Sequence, residues 1–90
     1  MHYLFVKHKV ADFIKWKRVF DADAEAQRKA GLHLLHVLRD TADANLIVLL
    51  FRVDDLNKAK AFTQNPDASD HGEKSGVIGV PEILWLSEVS

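Results

Sequence analysis

The apolar positions of this chain change their period repeatedly, and each change marks an element. His2 to Lys9 is rich in aromatic and β-branched residues around the unbroken run Tyr3-Leu4-Phe5-Val6, and it predicts a first strand. From Asp12 the spacing lengthens to three and four. Phe13, Trp16, Phe20 and Ala24 then share one side of a predicted helix of about five turns, capped by Asp12 and stopped by Gly31 after Arg28 and Lys29. Leu32 to Arg39 and Asn45 to Val53 read as two strands joined by the polar Asp40-Thr41-Ala42-Asp43-Ala44, which suits a hairpin. A second helix follows, with Asp54 as its cap and Leu56, Ala59 and Phe62 along one side, ending near Asn65. Pro66 suits the first turn of a further short helical piece, and Gly76 and Gly79 lead into Pro81 and a last strand, Glu82 to Glu88. The order β-α-β-β-α-β is a split β-α-β arrangement. Its first and third strands are central in an antiparallel four-stranded sheet, and both helices lie on one face.

The strands then demand more cover than two helices provide. Leu46 to Phe51 is six consecutive apolar residues where a half-solvated antiparallel strand would alternate, and Tyr3 to Val6 and Ile83 to Leu86 behave alike. Helices shield one face only. The other face would be an apolar patch beyond the few hundred Å² that monomers usually expose, and a second copy of the sheet is the simplest lid. A homodimer is therefore expected, and more so because a 90-residue chain encloses only a thin core by itself.

Composition narrows the classes further. With 48% hydrophobic and 28% charged residues the chain is an ordinary globule, expected to form a single domain over residues 1–90. Its 12 basic and 13 acidic residues are interspersed, which argues against a nucleic-acid partner. The absence of cysteine removes disulfides, thiol nucleophiles and thiolate metal sites. The apolar stretch at Tyr3 to Val6 meets Lys7 and Lys9 too soon for a signal-peptide core or a membrane span, so no membrane association and a cytoplasmic location are expected.

Val6-Lys7-His8-Lys9-Val10-Ala11-Asp12-Phe13-Ile14-Lys15-Trp16-Lys17, Phe20-Asp21, the helix start Asp54-Asp55-Leu56-Asn57-Lys58-Ala59 and Pro81-Glu82-Ile83 together resemble small bacterial proteins of the dimeric α+β barrel superfamily. The resemblance covers nearly the whole chain and is strongest to cyclase-like and antibiotic-biosynthesis-monooxygenase-like members. It implies a ferredoxin-like α+β fold whose sheets face each other in a homodimer to form a barrel. It is specific for fold and unspecific for chemistry, since the superfamily includes cofactor-free monooxygenases, haem-degrading enzymes, isomerases and regulatory effector domains. The asparagine, tryptophan and histidine set of the haem-degrading members does not map here, because Trp16 falls early on the first helix and the first strand has no asparagine. No cofactor and no metal are expected.

The candidates for chemistry are the histidines, which titrate near neutral pH and move protons. His8 shares a parity with Leu4 and Val6 and is a candidate catalytic base inside the barrel; its alternative is a strand-end residue bonded to backbone. His36 shares a parity with Leu32, Leu34 and Leu38 and is the second catalytic candidate, whereas His33, three positions away, is expected on the opposite face, which prevents chelation of a common ion. His71, among Asp67, Asp70 and Glu73, is a candidate ligand-binding residue at the barrel mouth or else a solvated turn. Trp85 and Tyr3, or Phe5, are candidates for an aromatic wall around a planar ligand, or equally for sealing the dimer. Phe13, Trp16 and Phe20 are assigned to packing. No nucleophile elbow, phosphate loop, dinucleotide fingerprint or zinc motif occurs. Three functions remain open: a cofactor-free monooxygenase-like or cyclase-like enzyme for a small hydrophobic, aromatic or polyketide-like molecule, a non-catalytic ligand-binding or regulatory module, and a purely structural dimer.

Overall fold

The structure, a computed structural model, describes residues 1–63 and 76–89. Strands β1 (His2–Val10), β2 (Leu32–Arg39), β3 (Leu46–Val53) and β4 (Val77–Ser87) alternate with helices α1 (Phe13–Ala22), α2 (Ala24–Lys29) and α3 (Leu56–Thr63). They form one antiparallel sheet in the order β2-β3-β1-β4, so the first and third strands are central. This is the ferredoxin-like α+β arrangement.

Two-sided apolarity resolves into two different faces. Along β3 burial alternates strictly, with Ile47, Leu49, Phe51 and Val53 buried and Leu46, Val48, Leu50 and Arg52 only partly so. The buried parity continues into Leu4, His8 and Val10 of β1 and meets Trp16 and Phe20 of α1 and Ala59 of α3, which together make the core. Burying a side chain of this size is worth about 1.5–3 kcal/mol, so this face dominates the stability of the sheet. The opposite parity, Tyr3 and Phe5 with Val48, Leu50, Leu38, Leu84 and Leu86, is covered by no helix among the described residues and forms an open apolar face.

Three local expectations change. The predicted single helix breaks at Asp23, where ψ moves to 1° and the backbone N–H turns to the Phe20 and Asp21 carbonyls. Beyond the break α2 has no fully buried side chain. Asp55, not Asp54, caps α3, accepting the Lys58 N–H at 3.1 Å. Asp54 is engaged elsewhere, with His33 at 2.5 Å and Arg52 at 3.7 Å. The last strand starts at Val77, five residues earlier than Glu82, and bulges before settling into register. Lys7 pairs with Glu82 and Lys9 with Ile78, so His8 alone faces Gly79-Val80-Pro81. Gly79 supplies the positive φ of 74° that this bulge requires, and Val80 is 95% exposed at its tip.

Candidate functional site

His8 is the one polar side chain in the core among the described residues, 8% exposed. Strand β1 fixes its direction: with Leu4 and Val10 buried on the same parity, His8 points beneath α1 and not toward the open face expected to line a barrel. Helix α1 supplies the roof. Asp12 accepts the Lys15 N–H at 3.2 Å and starts the helix, and the three-four spacing of Phe13, Trp16 and Phe20 then brings one aromatic edge down on the sheet. The Trp16 ring lies 5.3 Å from the imidazole, tilted by 58°, and stacks on Phe20 at 5.0 Å. Phe13 is 5.9 Å from Trp16, and Phe20 is 6.3 Å from Phe51 on the sheet.

The electrostatics of this aromatic enclosure keep the imidazole neutral. The Nε2 of His8 is buried and has no hydrogen-bond partner among the described residues. Desolvation holds its pKa below the usual histidine value, so the imidazole is uncharged at neutral pH and keeps a lone pair or an N–H available. Buried polar atoms are nearly always satisfied, and an unpartnered one calls for an explanation such as a catalytic role or a bound water or ion. The ladder beside His8 is also interrupted there by the β4 bulge, and no side chain of the described residues lies within 4 Å of a Cβ placed at Gly79. A neutral imidazole in aromatic surroundings can abstract a proton from an acidic C–H or O–H and hold it through a reaction.

The other sequence candidates are distributed over two faces. A register shift between Leu34 and His36 adds Leu35 to β2, so His33 pairs with Arg52 and His36 with Leu50, and both histidines stand on the open face. The expectation that they emerge on opposite faces is thereby corrected: the extra residue restores the period that three positions would have broken. Tyr3 shares that open face, while Trp85, opposite Leu4, faces the helices and lies under the Lys60 ammonium at 5.7 Å. Tyr3 and Trp85 therefore do not form one aromatic wall. His71, with Asp67, Asp70 and Glu73, lies outside the described residues. Among the described residues no group of three or more histidine or acidic side chains is placed to hold a metal ion, and no helix is long and apolar enough to cross a membrane. Trp16, read from the sequence as packing, is both packing and the direct neighbour of the unpartnered histidine; its spacing revealed the first role and only the strand parity reveals the second.

Element order, sheet order and a single helical layer define the ferredoxin-like α+β fold seen in antibiotic-biosynthesis-monooxygenase-like proteins. The chain matches no protein-family profile, and no curated protein sequence is detectably similar to it. Solved structures supply the likeness. A candidate antibiotic biosynthesis monooxygenase of Caulobacter crescentus superposes with a TM-score of 0.72 at 20% identity, over 99% of this chain and 90% of that one. One of Bordetella bronchiseptica gives 0.78 at 12% identity, covering 99% and 97%. One of Nitrosomonas europaea gives 0.67 at 14% identity over the whole of both chains. At these identities the likeness establishes the fold.

Proposed function

We propose that the protein is a cofactor-free monooxygenase-like enzyme that acts as a homodimer on a small, electron-rich aromatic or polyketide-like molecule, with His8 as its base. The observation that carries this reading is the buried Nε2 of His8, which lies beside Trp16 and has no hydrogen-bond partner among the described residues. A fold with no chemical demand on that position would fill it with an aliphatic side chain, as it does at Leu4 and Val10 on the same parity. The names of the structural neighbours point the same way.

The chemistry needs no external reductant. His8 takes a proton from a methylene carbon activated by hydroxylated rings, and the resulting carbanion gives electrons to O2 and joins it. The imidazolium returns the proton to the peroxide formed. Loss of water then leaves a ketone: one oxygen atom enters the product, the other departs as water with both methylene hydrogens, and the carbon supplies every electron that O2 accepts. A cyclase-like reaction would share the first step, proton abstraction by the same nitrogen.

The dimer is the complementary part of the proposal. Face-to-face packing of two sheets would cover Phe5, Leu50, Leu84 and Leu86 and enclose Tyr3 and His36, on the face opposite His8. The test is oxygen uptake in the presence of a dihydroxyanthrone, corrected for autoxidation. Native protein is expected to accelerate uptake with one O2 consumed per quinone formed, and His8→Leu to reduce the rate to background while remaining folded. Equal rates for the two proteins would refute a catalytic His8.

A further inference from the structure

At the end of the sheet opposite the β4 bulge, the strand registers gather a row of side chains across the open face. His33 of β2 pairs with Arg52 of β3, Arg52 with Tyr3 of β1, and Tyr3 with Leu86 of β4. Directly opposed residues keep their Cβ atoms about 5 Å apart, so the imidazole and the guanidinium are immediate neighbours. Asp54, the first residue after β3, closes the row, with its carboxylate 2.5 Å from His33 Nε2 and 3.7 Å from Arg52 Nε. The backbone holds this arrangement. The Asp54 N–H donates to the Gly31 carbonyl at 2.9 Å, and Gly31, at a φ of 79°, leads straight into Leu32 and His33, so one turn fixes both the imidazole and its carboxylate. Asp54 is also released from helix capping, which Asp55 performs by accepting the Lys58 N–H at 3.1 Å.

We infer that this row is a second proton-transfer site, on the face opposite His8 and independent of it, which interconverts the keto and enol forms of 2-oxo acids bearing an apolar or aromatic substituent. A carboxylate accepting from Nε2–H fixes the tautomer and leaves the lone pair on Nδ1, which makes no hydrogen bond among the described residues. His33 is thereby an oriented general base, and Asp54 is its positioning residue. The terminal nitrogens of Arg52 make no hydrogen bond among the described residues either, and their planar fork suits a carboxylate together with the neighbouring 2-oxo oxygen. Tyr3 and Leu86 extend the row as aromatic and aliphatic surface for the substituent. The step needs no oxidant. His33 Nδ1 takes a proton from C3, the C–H electron pair forms the C2–C3 double bond, and the carbonyl pair moves onto the oxygen beside Arg52. The imidazolium then gives its proton to that oxygen, and the reverse sequence returns the ketone. A neutral ketone lacks the carboxylate that Arg52 holds and should be a poor substrate.

Ultraviolet measurement of phenylpyruvate enolisation tests this on the native protein and on His33→Gln, Asp54→Asn and Arg52→Met. Free imidazole at the same concentration gives the rate of an unoriented base. Native protein is expected to exceed that rate by about a hundredfold or more, the lower end of what a positioned base contributes, and His33→Gln to fall back to it. Asp54→Asn should lower kcat with KM little changed, and nitrogen-15 spectra should show His33 losing its Nε2-protonated tautomer. Arg52→Met should raise KM by about tenfold, the size of one charge-assisted contact. Native protein no faster than imidazole overturns the inference, and so does a His33→Gln or Asp54→Asn variant as active as native. Should His33→Gln fail to fold, the kcat and tautomer of Asp54→Asn decide. None of these variants touches His8, so the oxygen-dependent reading stands or falls separately.

Discussion

Replacing His8 by leucine should stabilise the protein while abolishing its chemistry, and the size of the effect follows from the surroundings of one nitrogen. The buried Nε2 has no partner among the described residues, and an unsatisfied buried polar group costs about 1–3 kcal/mol. Leucine fills a comparable volume beside Ile47, Val10 and Trp16, and imperfect shape gives back at most about 1.5 kcal/mol. The net gain is about 1 kcal/mol. For a domain of this size that raises the melting temperature by about 4–8 °C. Acidification enlarges the difference. Because the folded-state pKa of His8 is lowered by desolvation, the unfolded chain binds a proton at this position as the pH falls below about 6.5 while the folded protein does not. The stability of native protein attributable to His8 is present above that pH and is lost below it, with a slope approaching about 1.4 kcal/mol per pH unit until the folded-state pKa is reached. His8→Leu lacks this loss. Thermal and urea denaturation of both proteins at equal concentration, at pH values on either side of 6.5, reads the difference directly. A leucine variant less stable than native protein, with a gap that does not change with pH, would mean that His8 is a satisfied core residue.

Trp16→Ala removes the ring that stacks on Phe20 and covers His8, and it should cost about 3–5 kcal/mol in denaturation experiments, as other large-to-small core changes do. Retention of the native melting temperature would remove Trp16 from the core. Sedimentation at micromolar concentration should give a homodimer, and a charge on the open face, as in Phe5→Asp or Leu84→Lys, should dissociate it; a folded native monomer under those conditions would refute the face-to-face assembly.

The elements were legible because their periods differ, and the open face was legible because six apolar residues in Leu46–Phe51 cannot all be covered by one layer of helices. The direction of each parity was not. In β1 both parities are apolar, Tyr3 and Phe5 on one side and Leu4 and Val6 on the other, so nothing local tells which side the helices take. His8 follows Leu4 beneath α1 only because the α1 aromatic edge packs there. The β2 bulge was equally hidden: Leu34 and Leu35 are both apolar, and an inserted residue in such a run leaves no break in the pattern. Asp54 and Asp55 both suit a helix cap, and the choice between them is made by His33 and Arg52, which draw Asp54 toward the open face. The break at Asp23 lies within a stretch of good helix formers, and α2 beyond it has no fully buried side chain.

The proposed role of His8 is that of a neutral base in a ligand site, with no hydrogen-bond partner among the described residues. Nitrogen-15 imidazole spectra of the native protein, followed through pH and then through titration with a dihydroxyanthrone under anaerobic conditions, test it without turnover. His8 is expected to titrate below the usual histidine value, and its Nε2 resonance, ahead of those of His33 and His36, to move on adding the ligand. Titration of His8 at or above about 6.5, or a ligand that shifts His36 and leaves His8 unmoved, would contradict it.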